Sequence, residues 1–543
     1  MSADVVLTSD RGTFTDYNGA SPLGYVACLP ARLVPRLFMN KFFTPPIAAD
    51  NRFEAEIAPY PLRKLEAILE KENITVSVTP PEVLERAVDS NTKILGINVH
   101  DPYGLSPVTS KLTMIFGGGE SWTSKFFSEL SETVVELKEK YHFKVVIGGA
   151  AAWQIELNRP DWVDSVFEGE AELDFPLLVR KMMSGNKFPR HLQGRMPKVD
   201  QIPVITKPTR FGEVQITRGC PRGCQFCSIT PETFRSIPLD DILREVKLNF
   251  NHGIKGVELL TDDIMLYGSR RLEVNHEALI NLFKGVKNLG ATHIYFPHIT
   301  APGVKSSPRT VEEISHIAEY DKYVAEAPVV GLESGSERII GKYMRGKTYP
   351  WTPHEWGDII YDATGIMVDN GIHPCYTVTI GYPDETESDM NETLSIINRI
   401  ADGNLEAWVF PLPVIPMTPS RLKGNTFPKF ETIPDRYWDI LYASWRHSIK
   451  VTRDLLPLLT TEMPNPIIKW IVQNMNERVF SGVENIFKEL ADTRGKAALG
   501  FSKMEFNSAL GIIRALYYLG TLGINEFIKN HQISGGKGKV SDY

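Results

Sequence analysis

Cysteine is scarce in this sequence, and most of it lies in one place. The chain of 543 residues has five cysteines, and three of them fall within the segment QITRGCPRGCQFCSIT at positions 215–230. An odd number of clustered cysteines argues against a framework of disulfide bonds and favours a reducing compartment. We therefore expect a cytoplasmic protein whose three neighbouring cysteines serve one purpose.

Long apolar runs and an excess of basic residues are also missing. No segment approaches the roughly 20 apolar residues of a transmembrane helix, and the N-terminal MSADVVLTSDRGTF lacks the basic start and apolar core of a signal peptide. A net charge of −7 gives no support for binding to nucleic acid. These absences favour a cytoplasmic location, and peripheral contact with a membrane surface stays open.

What is present is typical of a globular protein of two or three domains, with 42% hydrophobic residues. Over residues 1–185, the β-branched runs KILGINVH (93–100) and KVVIGGA (144–150) predict buried parallel strands. The segment between them carries apolar residues at helical spacing over 122–141. This alternation predicts an α/β fold with a Rossmann-like, doubly wound sheet.

Two further regions follow a proline-rich, aperiodic stretch at 186–210, which is predicted to be a linker. Residues 211–425 alternate between strand and helix patterns again. Residues 426–543 are predicted to form a helical domain with a disordered tail, SGGKGKVSDY. The strands predicted in the second region are EVQIT (213–217), GVELLT (256–261), HIYFPHIT (293–300), APVVGLE (327–333), PCYTVTIG (374–381) and EAWVFPL (406–412).

The clustered cysteines, Cys220, Cys224 and Cys227, have the spacing C-x3-C-x2-C on a loop rich in glycine and proline. Three thiolates from a short loop are able to bind three irons of a 4Fe–4S cluster and leave the fourth iron open to a small ligand. The alternative is a zinc site, which usually has four closed ligands. His252 is the nearest downstream histidine, and no second pair of cysteines exists. The spacing therefore favours the cluster over zinc.

This loop, with the aromatic Phe226 before its last cysteine, resembles the hallmark motif of the radical SAM superfamily. The resemblance implies that residues 211–425 form a partial (β/α)6 barrel of the TIM type. It also implies that the open iron binds S-adenosylmethionine (SAM), whose reductive cleavage gives methionine and a carbon radical able to remove hydrogen from an unactivated carbon. A ferredoxin- or flavodoxin-like reductant is then required as a partner.

Later segments extend the resemblance in the order that the family has. They are LLTDDIM, VVGLESGSERI (329–339), YMRGKTY and GYPDETESD. The two aspartates could instead cap helices, the glutamate could form a structural ion pair, and the histidine could be a core residue. The residues implied to contact SAM or substrate are Asp262, Asp263, His298, Glu333, Ser334 and Ser336.

The N-terminal region resembles the cobalamin-binding-type domain that precedes the barrel in one radical SAM subgroup. The segments that carry the resemblance are SPLGYVA (21–27), NVHDPYGLSP (98–107), VVIGGAAAW (145–153) and DSVFEGEAE (164–172). A D-x-H-x-x-G segment is absent, and three alanines follow the glycine pair. Cobalamin binding and a domain that only shapes the substrate channel both stay open. The residues predicted to rim the pocket, at the carboxyl ends of the strands, are Asp101, Tyr103, Gly148, Gly149, Glu168 and Glu170.

The two remaining cysteines, Cys28 and Cys375, are too few for a second cluster. Their number counts against the methylthiotransferases, a related radical SAM family with three more cysteines near the N-terminus. Both are predicted to be small buried apolar residues.

The C-terminal region bears on the substrate, because its large apolar residues either fill the core of a helical cap or form a tunnel or membrane-facing surface for a lipid. The motif order, the segment LTSDRGTFTDYNGASPLGY and this apolar region are similar to archaeal radical SAM enzymes that form rings in tetraether (GDGT) lipids. That similarity implies closure of a C–C bond in an apolar isoprenoid chain. The alternatives are a cobalamin-dependent radical SAM methyltransferase and a non-catalytic cluster- or lipid-binding protein. The apolar residues are Trp438, Trp445, Ile467, Ile468, Trp470, Ile471, Leu516, Tyr517, Tyr518 and Leu519.

Overall fold

The computed structural model describes residues 3–19, 21–229, 232–320, 326–424, 433–459 and 477–501, together with positions 466, 469 and 470. Within these ranges the chain forms an N-terminal sheet, a partial barrel and a group of C-terminal helices. This is the α/β organisation that the alternating sequence patterns predict.

The N-terminal sheet has six parallel strands in the order β2-β1-β3-β4-β5-β6. Every residue of β1 and β3 is buried, as expected for parallel strands covered on both faces. The chain order reverses at β1, so a ligand crevice is expected at the carboxyl ends of β1 and β3. The strands are β1 (Val5–Ser9), β2 (Val76–Val78), β3 (Ile94–Asn98), β4 (Lys144–Gly148), β5 (Ser165–Glu168) and β6 (His191–Gln193).

Helices cover both faces of this sheet. Leu62 and Phe175 belong to the apolar core on one face, and Phe127 and Val134 belong to the core on the other. The helix predicted over 122–141 is present with these bounds. The α-helices of this region with six or more residues are α1 (Tyr60–Lys71), α2 (Pro107–Ile115), α3 (Trp122–Tyr141), α4 (Ala152–Leu157) and α5 (Phe175–Met183).

Strand β6 lies inside the segment predicted to be a linker. It pairs with β5 at the edge of the sheet, so the N-terminal sheet extends to Gln193. Pro189 and Pro197 flank the strand without interrupting its ladder. An edge strand tolerates proline at its ends, because half of its backbone groups have no partner to lose.

The barrel is built from two groups of three parallel strands, in the orders β7-β10-β11 and β12-β13-β14. A single parallel bridge between His298 and Val329 joins the groups, which gives a partial barrel of six strands. A short antiparallel pair, β8 and β9, follows the first barrel strand. The strands are β7 (Glu213–Gln215), β8 (Thr217–Arg218), β9 (Arg235–Ser236), β10 (Gly256–Leu260), β11 (His293–Tyr295), β12 (Val329–Glu333), β13 (Cys375–Ile380) and β14 (Trp408–Pro413).

Helices alternate with these strands and bury a large common core on the outside of the barrel. They are α6 (Leu239–Asn251), α7 (His276–Asn288), α8 (Ala301–Ser306), α9 (Pro308–Ala318), α10 (Glu337–Tyr343), α11 (Trp356–Val368) and α12 (Glu387–Asp402).

Two long helices, α13 (Asp435–Leu459) and α14 (Glu477–Asp492), pack together after the barrel, and α13 also contacts β14 and α12. Trp438 is buried, and the ring of Trp445 stacks on Phe487 with centroids 4.3 Å apart. These two tryptophans therefore belong to a helical cap. The predicted apolar residues at 467, 468, 471 and 516–519 and the predicted tail lie outside the described residues. No helix in the described ranges is long and apolar enough to cross a membrane.

Candidate active site

The three clustered cysteines lie on a loop between β8 and β9, so an antiparallel hairpin holds both ends of the loop. Gly219, directly before the first cysteine, has a φ of +75°, and a Cβ there would lie 2.8 Å from the carbonyl oxygen of Glu232. Only glycine combines this backbone conformation with such a close approach. The glycine next to the motif therefore serves the tight path of the loop.

The three thiols lie in a largely buried environment. Cys224 is buried, and Cys220 and Cys227 are half-buried. Burial raises the pKa of Cys220 to about 12 and that of Cys227 to about 11, and proximity to Cys224 adds to both shifts. The cysteines therefore lie within range of one another's charge. Binding of a metal removes a thiol proton, so such buried thiols suit permanent ligation more than free thiolate chemistry.

The donor set fits a 4Fe–4S cluster better than a single ion. Within the described ranges, no three His, Cys, Asp or Glu side chains converge closely enough to hold one metal ion. The thiolates that hold a four-iron cluster bind separate irons at different corners, so they face a shared space without meeting at one point. Cys220, Cys224 and Cys227 lie on one short loop, close enough for Cys224 to influence the pKa of the other two thiols.

Arg222, between the first two cysteines, is a buried cation that ties the loop to the barrel. Its Nη2 lies 3.0 Å from Oδ2 of Asp263 and donates to Oγ1 of Thr300 at 2.8 Å. Its Nη1 donates to the carbonyl oxygen of Lys347 at 3.2 Å. The charge of Arg222 lowers the pKa of Cys220, against the larger effect of burial.

A second buried cation, Lys347, faces the same thiols from the barrel interior. Its Nζ lies 2.9 Å from Oε1 of Glu333, the last residue of β12. A Cβ on Gly331 would overlap this ammonium, so glycine at that position leaves room for it. Burial disfavours the charge, but Glu333 and the thiol of Cys224 outweigh burial and raise the pKa of Lys347. An anionic cluster at the cysteines would thus face a lysine that is already charged.

Aromatic rings close one side of the loop. The ring of Phe226 meets Tyr382 edge-on with centroids 6.1 Å apart, and Tyr382 stacks on Tyr343 at 4.9 Å. The backbone N–H of Gln225 donates to the carbonyl oxygen of Tyr343 at 2.9 Å. These contacts exclude water from one flank of the cysteines.

The two aspartates predicted to meet SAM differ in their surroundings. Asp263 is buried and accepts hydrogen bonds from Arg222, from Thr300 at 2.7 Å and from the backbone N–H of Met265 at 3.2 Å. Asp262 is half-buried and lines a cavity; burial raises its pKa, and nearby His298 opposes that shift. Asp262 is therefore the aspartate whose carboxylate is open to a ligand.

The remaining residues of the predicted SAM set lie close to the strand ends of the barrel. Ser336 caps helix α10 and donates to Asp389 at 2.6 Å, and the hydroxyl of Ser334 accepts the N–H of Ser336 at 3.1 Å. Nδ1 of His298 lies 3.1 Å from the carbonyl oxygen of Thr261. Both serines are fully buried and engaged in the fold. A contact of these residues with SAM or substrate stays a prediction.

A cavity of about 350 Å³ lies between the carboxyl ends of the N-terminal strands and the hairpin that holds the cysteines. It joins Gly148 and Gly149 after β4 to Gly219 on the cysteine loop. The polar residues of its wall are Tyr60, Lys64, Asn98, Glu170, Glu172, Gln215, Arg218, Glu232 and Asp262. The two sheets therefore border one shared cavity.

Glu232 gives this cavity a group that exchanges protons near neutral pH. Burial, together with the charges of Glu170 and Asp262, raises the pKa of Glu232 to about 7. A carboxyl group with such a pKa is able to accept or donate a proton at working pH.

Three of the six residues predicted to rim a cofactor pocket lie in this wall, namely Gly148, Gly149 and Glu170. The other three lie elsewhere. Asp101 is buried and accepts hydrogen bonds from Thr109, Ser106 and Gln154 at 2.5, 3.0 and 2.8 Å. The hydroxyl of Tyr103 donates to the carbonyl oxygen of Asn158 at 2.9 Å, and Glu168 lies 3.8 Å from His191.

The fit to cobalamin is partial. The cavity lies at the strand ends where the N-terminal sheet is expected to bind a ligand. Its volume of about 350 Å³ is at the small end of ligand sites and below the size of a corrinoid. The loop 168–172 is tied to the hairpin by ion pairs of Glu170 with Arg218 and Arg235, at 2.6 and 2.5 Å. A corrinoid would require this loop to separate from the hairpin.

Sequence reasoning did not single out Arg222, Lys347, Arg218 or Glu232. Arg222 and Lys347 lie inside segments that carry the family resemblance, CPRGC and YMRGKTY. A basic residue beside glycine is an ordinary loop feature, however, and only the folded chain shows that both charges are buried against the thiols.

Comparison with known proteins agrees with this geometry. Residues 214–397 match the Radical SAM superfamily, so this part of the chain is a radical SAM domain. That superfamily uses a 4Fe–4S cluster and SAM.

Two similar proteins are methylthiotransferases by name. Ribosomal protein uS12 methylthiotransferase RimO of Porphyromonas gingivalis (strain ATCC BAA-308 / W83) is 28% identical over 216 residues, which are 38% of this chain and 45% of that protein. The tRNA-2-methylthio-N(6)-dimethylallyladenosine synthase of Thermosipho melanesiensis is 26% identical over 291 residues, 53% of this chain and 63% of that protein. The chain thus spans about half to three fifths of the length of these relatives.

Solved structures of the radical SAM methyltransferase TsrM from Kitasatospora setae have a fold similar to that of this chain. The structure with cobalamin and a 4Fe–4S cluster gives a TM-score of 0.50 at 14% identity and covers 78% of this chain and 74% of that one. The structure with tryptophan and a SAM analogue gives 0.52 at 13% identity, with 78% and 76% covered. Identities this low show the fold alone.

Proposed function

We propose that this protein, whose residues 214–397 form a radical SAM domain, is an enzyme that removes a hydrogen atom from an unactivated carbon of its substrate. The observation that carries the proposal is the three-cysteine loop held between two buried cations, Arg222 and Lys347. When bound there, the cluster and SAM supply reductive cleavage of a sulfonium to a carbon radical. An electron donor such as a ferredoxin or flavodoxin and a cytoplasmic location belong to the same proposal.

The residues of this chain would bind, orient and shield the reactants. The three cysteines hold the cluster, and the two cations offset its negative charge in a site with little water. Asp262 and Glu333 offer carboxylates for the polar groups of SAM at the strand ends. Phe226 and Tyr382 keep water from the loop.

The finer proposal is closure of a C–C bond in an apolar isoprenoid lipid. Its support is the side of β14 that carries Phe410. Phe410 pairs with Thr377 of the neighbouring strand β13. The hydroxyl of Thr377 donates to the carboxylate of Glu333 at 3.4 Å. Residues two apart on a strand share a face, so Trp408 and Leu412 lie on the same side as Phe410. An apolar wall that reaches toward Glu333 suits a hydrocarbon chain that must be held in place while a radical meets one carbon.

The second candidate is a cobalamin-dependent methyltransferase. The observation in its favour is the cavity shared by Gly149 and the cysteine hairpin, in a fold like that of TsrM, a protein whose structure contains cobalamin. The size of the cavity counts against it unless the loop 168–172 moves.

The test is cofactor analysis of protein purified without oxygen, with cobalamin supplied during expression. Iron, sulfide and extractable corrinoid are measured, and SAM with dithionite is added to detect 5′-deoxyadenosine and S-adenosylhomocysteine. Cys224→Ala is compared with Cys375→Ala, the same change at a cysteine outside the loop. We expect about four irons per chain and deoxyadenosine from wild type and Cys375→Ala, and neither from Cys224→Ala.

The other outcomes separate the candidates. Corrinoid in a one-to-one ratio, together with S-adenosylhomocysteine, would replace ring closure by methyl transfer. A bound cluster without deoxyadenosine would favour a non-catalytic binding protein. Equal iron in Cys224→Ala and wild type would contradict the assignment of the cluster to this loop.

A further inference from the structure

Lys111, on helix α2 of the N-terminal domain, is a buried cation outside the site described above. Its side chain is 2% exposed, and no described residue forms an ion pair or hydrogen bond with its ammonium. The ammonium lies over the rings of Phe410 and Trp445, 5.3 and 5.5 Å from their centroids. Burying a charge with no partner of opposite sign is unfavourable. An anion bound beside this lysine would stabilise its charge.

A second buried donor at the same place also has no acceptor. Nε1 of Trp445 is buried and forms no hydrogen bond within the described part of the chain. An indole N–H is only a donor, and an ammonium is only a donor. Two unmatched donors on neighbouring groups, Lys111 and Trp445, require a ligand that presents acceptors.

Among the described residues, no carboxylate lies close enough to Lys111 to supply these acceptors. The titratable groups that influence it are the thiols of Cys28 and Cys375, and burial lowers the pKa of Lys111 to about 8. Burial also raises the pKa of both thiols, to about 11 and about 12, which keeps them neutral. Within the described part of the chain, this cation therefore has no compensating charge.

Tyr25 is an accessible residue beside these groups. It has 54% of its surface accessible, and the thiols of Cys375 and Cys28 lie close enough to influence its charge. The same two thiols influence the ammonium of Lys111. Tyr25 thus lies where a ligand would approach Lys111.

Strand β13 links the surroundings of Lys111 to the cysteine loop. Cys375 begins β13, and Thr377, two residues on, pairs with Phe410 and donates to Glu333. Two residues of a strand span about 7 Å. An anionic group held at Lys111 would therefore place the rest of a ligand along Phe410 toward Glu333, on the order of 10 Å away.

We propose that Lys111 and the indole N–H of Trp445 form an anchoring site for the anionic end of the substrate, a carboxylate or phosphate monoester on an apolar chain. The inference rests on the proposed function, because it names the substrate class of that active site. Charge-assisted hydrogen bonds fix the anionic end, and the aromatic rings contact the chain next to it.

Binding to the full-length protein tests this site. Octanoate, octyl phosphate and 1-octanol are titrated by calorimetry, without SAM or reductant, into wild type, Lys111→Met, Trp445→Phe and Lys125→Met. Lys125 is the matched control, since its ammonium also lies over a tryptophan ring, 5.1 Å from Trp122. We expect wild type and Lys125→Met to bind at least one anion about tenfold or more tightly than the alcohol.

Lys111→Met should lose this preference for anions, and Trp445→Phe should lose part of it while keeping the affinity for 1-octanol. A stronger effect with octyl phosphate indicates a phosphate end, and one with octanoate indicates a carboxylate. Equal affinity of wild type for anion and alcohol, or a preference that survives in Lys111→Met, overturns the proposal. If Lys111→Met does not fold, the proposal is tested by whether Trp445→Phe loses part of the preference for anions over 1-octanol. Binding is measured without turnover, so loss of deoxyadenosine formation would contradict the proposed function and leave this result standing.

Discussion

Nζ of Lys347 lies 2.9 Å from Oε1 of Glu333, in the barrel interior directly beside the cysteine loop. Both side chains are almost fully buried. Burial raises the pKa of Cys224 and of Cys227, and the positive charge of Lys347 opposes that rise. The pair therefore places a fixed cation between a carboxylate and the thiols that would hold an anionic cluster.

Lys347→Met is expected to destabilise the protein and to lower the amount of iron that it binds. The substitution leaves Glu333 as a buried carboxylate without its cation, which costs about 3–5 kcal/mol of the free energy of unfolding. Thermal melts and iron content after anaerobic reconstitution measure the two effects. Lys342→Met is the control, because Lys342 is half exposed and pairs with Asp384 at the surface. Equal iron retention in both variants would show that the charge of Lys347 does not support the cluster.

Glu333 also holds a strained backbone, with a φ of +65°. Alanine and glycine both remove its carboxylate, but only glycine adopts this φ without steric cost. We expect Glu333→Gly to be more stable than Glu333→Ala by about 1–2 kcal/mol. Denaturant unfolding of the two variants measures the difference. If alanine is equally stable, the backbone there has relaxed and carries no strain.

The strands and the cysteine loop could be predicted because their signals are local. β-branched runs mark β3, β4 and β13, and the spacing of Cys220, Cys224 and Cys227 is readable from the motif alone. Both signals depend on residues a few positions apart.

The pairing of charges was not predictable in this way. Glu170 meets Arg218 across 48 positions, and Asp262 and Asp263 point into different surroundings although they are adjacent. Asp101 was expected at the pocket, but it accepts a hydrogen bond from Thr109 on helix α2 instead. Such outcomes depend on how loops fold against a second domain, which no local pattern encodes.

Arg218→Met is expected to loosen the contact between the N-terminal domain and the cysteine hairpin. Arg218 is 11% exposed and lies 2.6 Å from Glu170 and 2.7 Å from Glu172, so its loss leaves buried carboxylates undercompensated. We expect a loss of about 3 kcal/mol and faster hydrogen exchange in residues 165–172. Arg195→Met is the control, because this arginine is 67% exposed in its pair with Asp174 and its loss should have a much smaller effect. Unchanged exchange in residues 165–172 of Arg218→Met would show that other contacts hold the domains together.

The protonation of Glu326 is expected to make the free energy of unfolding fall as pH rises. Its side chain is buried, one carboxylate oxygen has no partner within the described residues, and burial raises its pKa well above the ordinary 4.5. Below pH 4.5 the carboxyl is neutral in both the folded and unfolded states, so its burial costs nothing extra in that range. Above this pH the unfolded state releases a proton that the folded state retains, which lowers stability by about 1.4 kcal/mol per pH unit.

Glu326→Gln removes this titration and preserves an acceptor for the N–H of Phe296, which donates to Glu326 at 3.1 Å. The variant should therefore gain stability over wild type as pH rises from 5 to 7. Urea unfolding at several pH values measures the gain. Glu85→Gln, at an exposed glutamate, should show no such trend. A constant difference between Glu326→Gln and wild type across this range would mean that Glu326 is ionised in the folded protein and has a cation beside it.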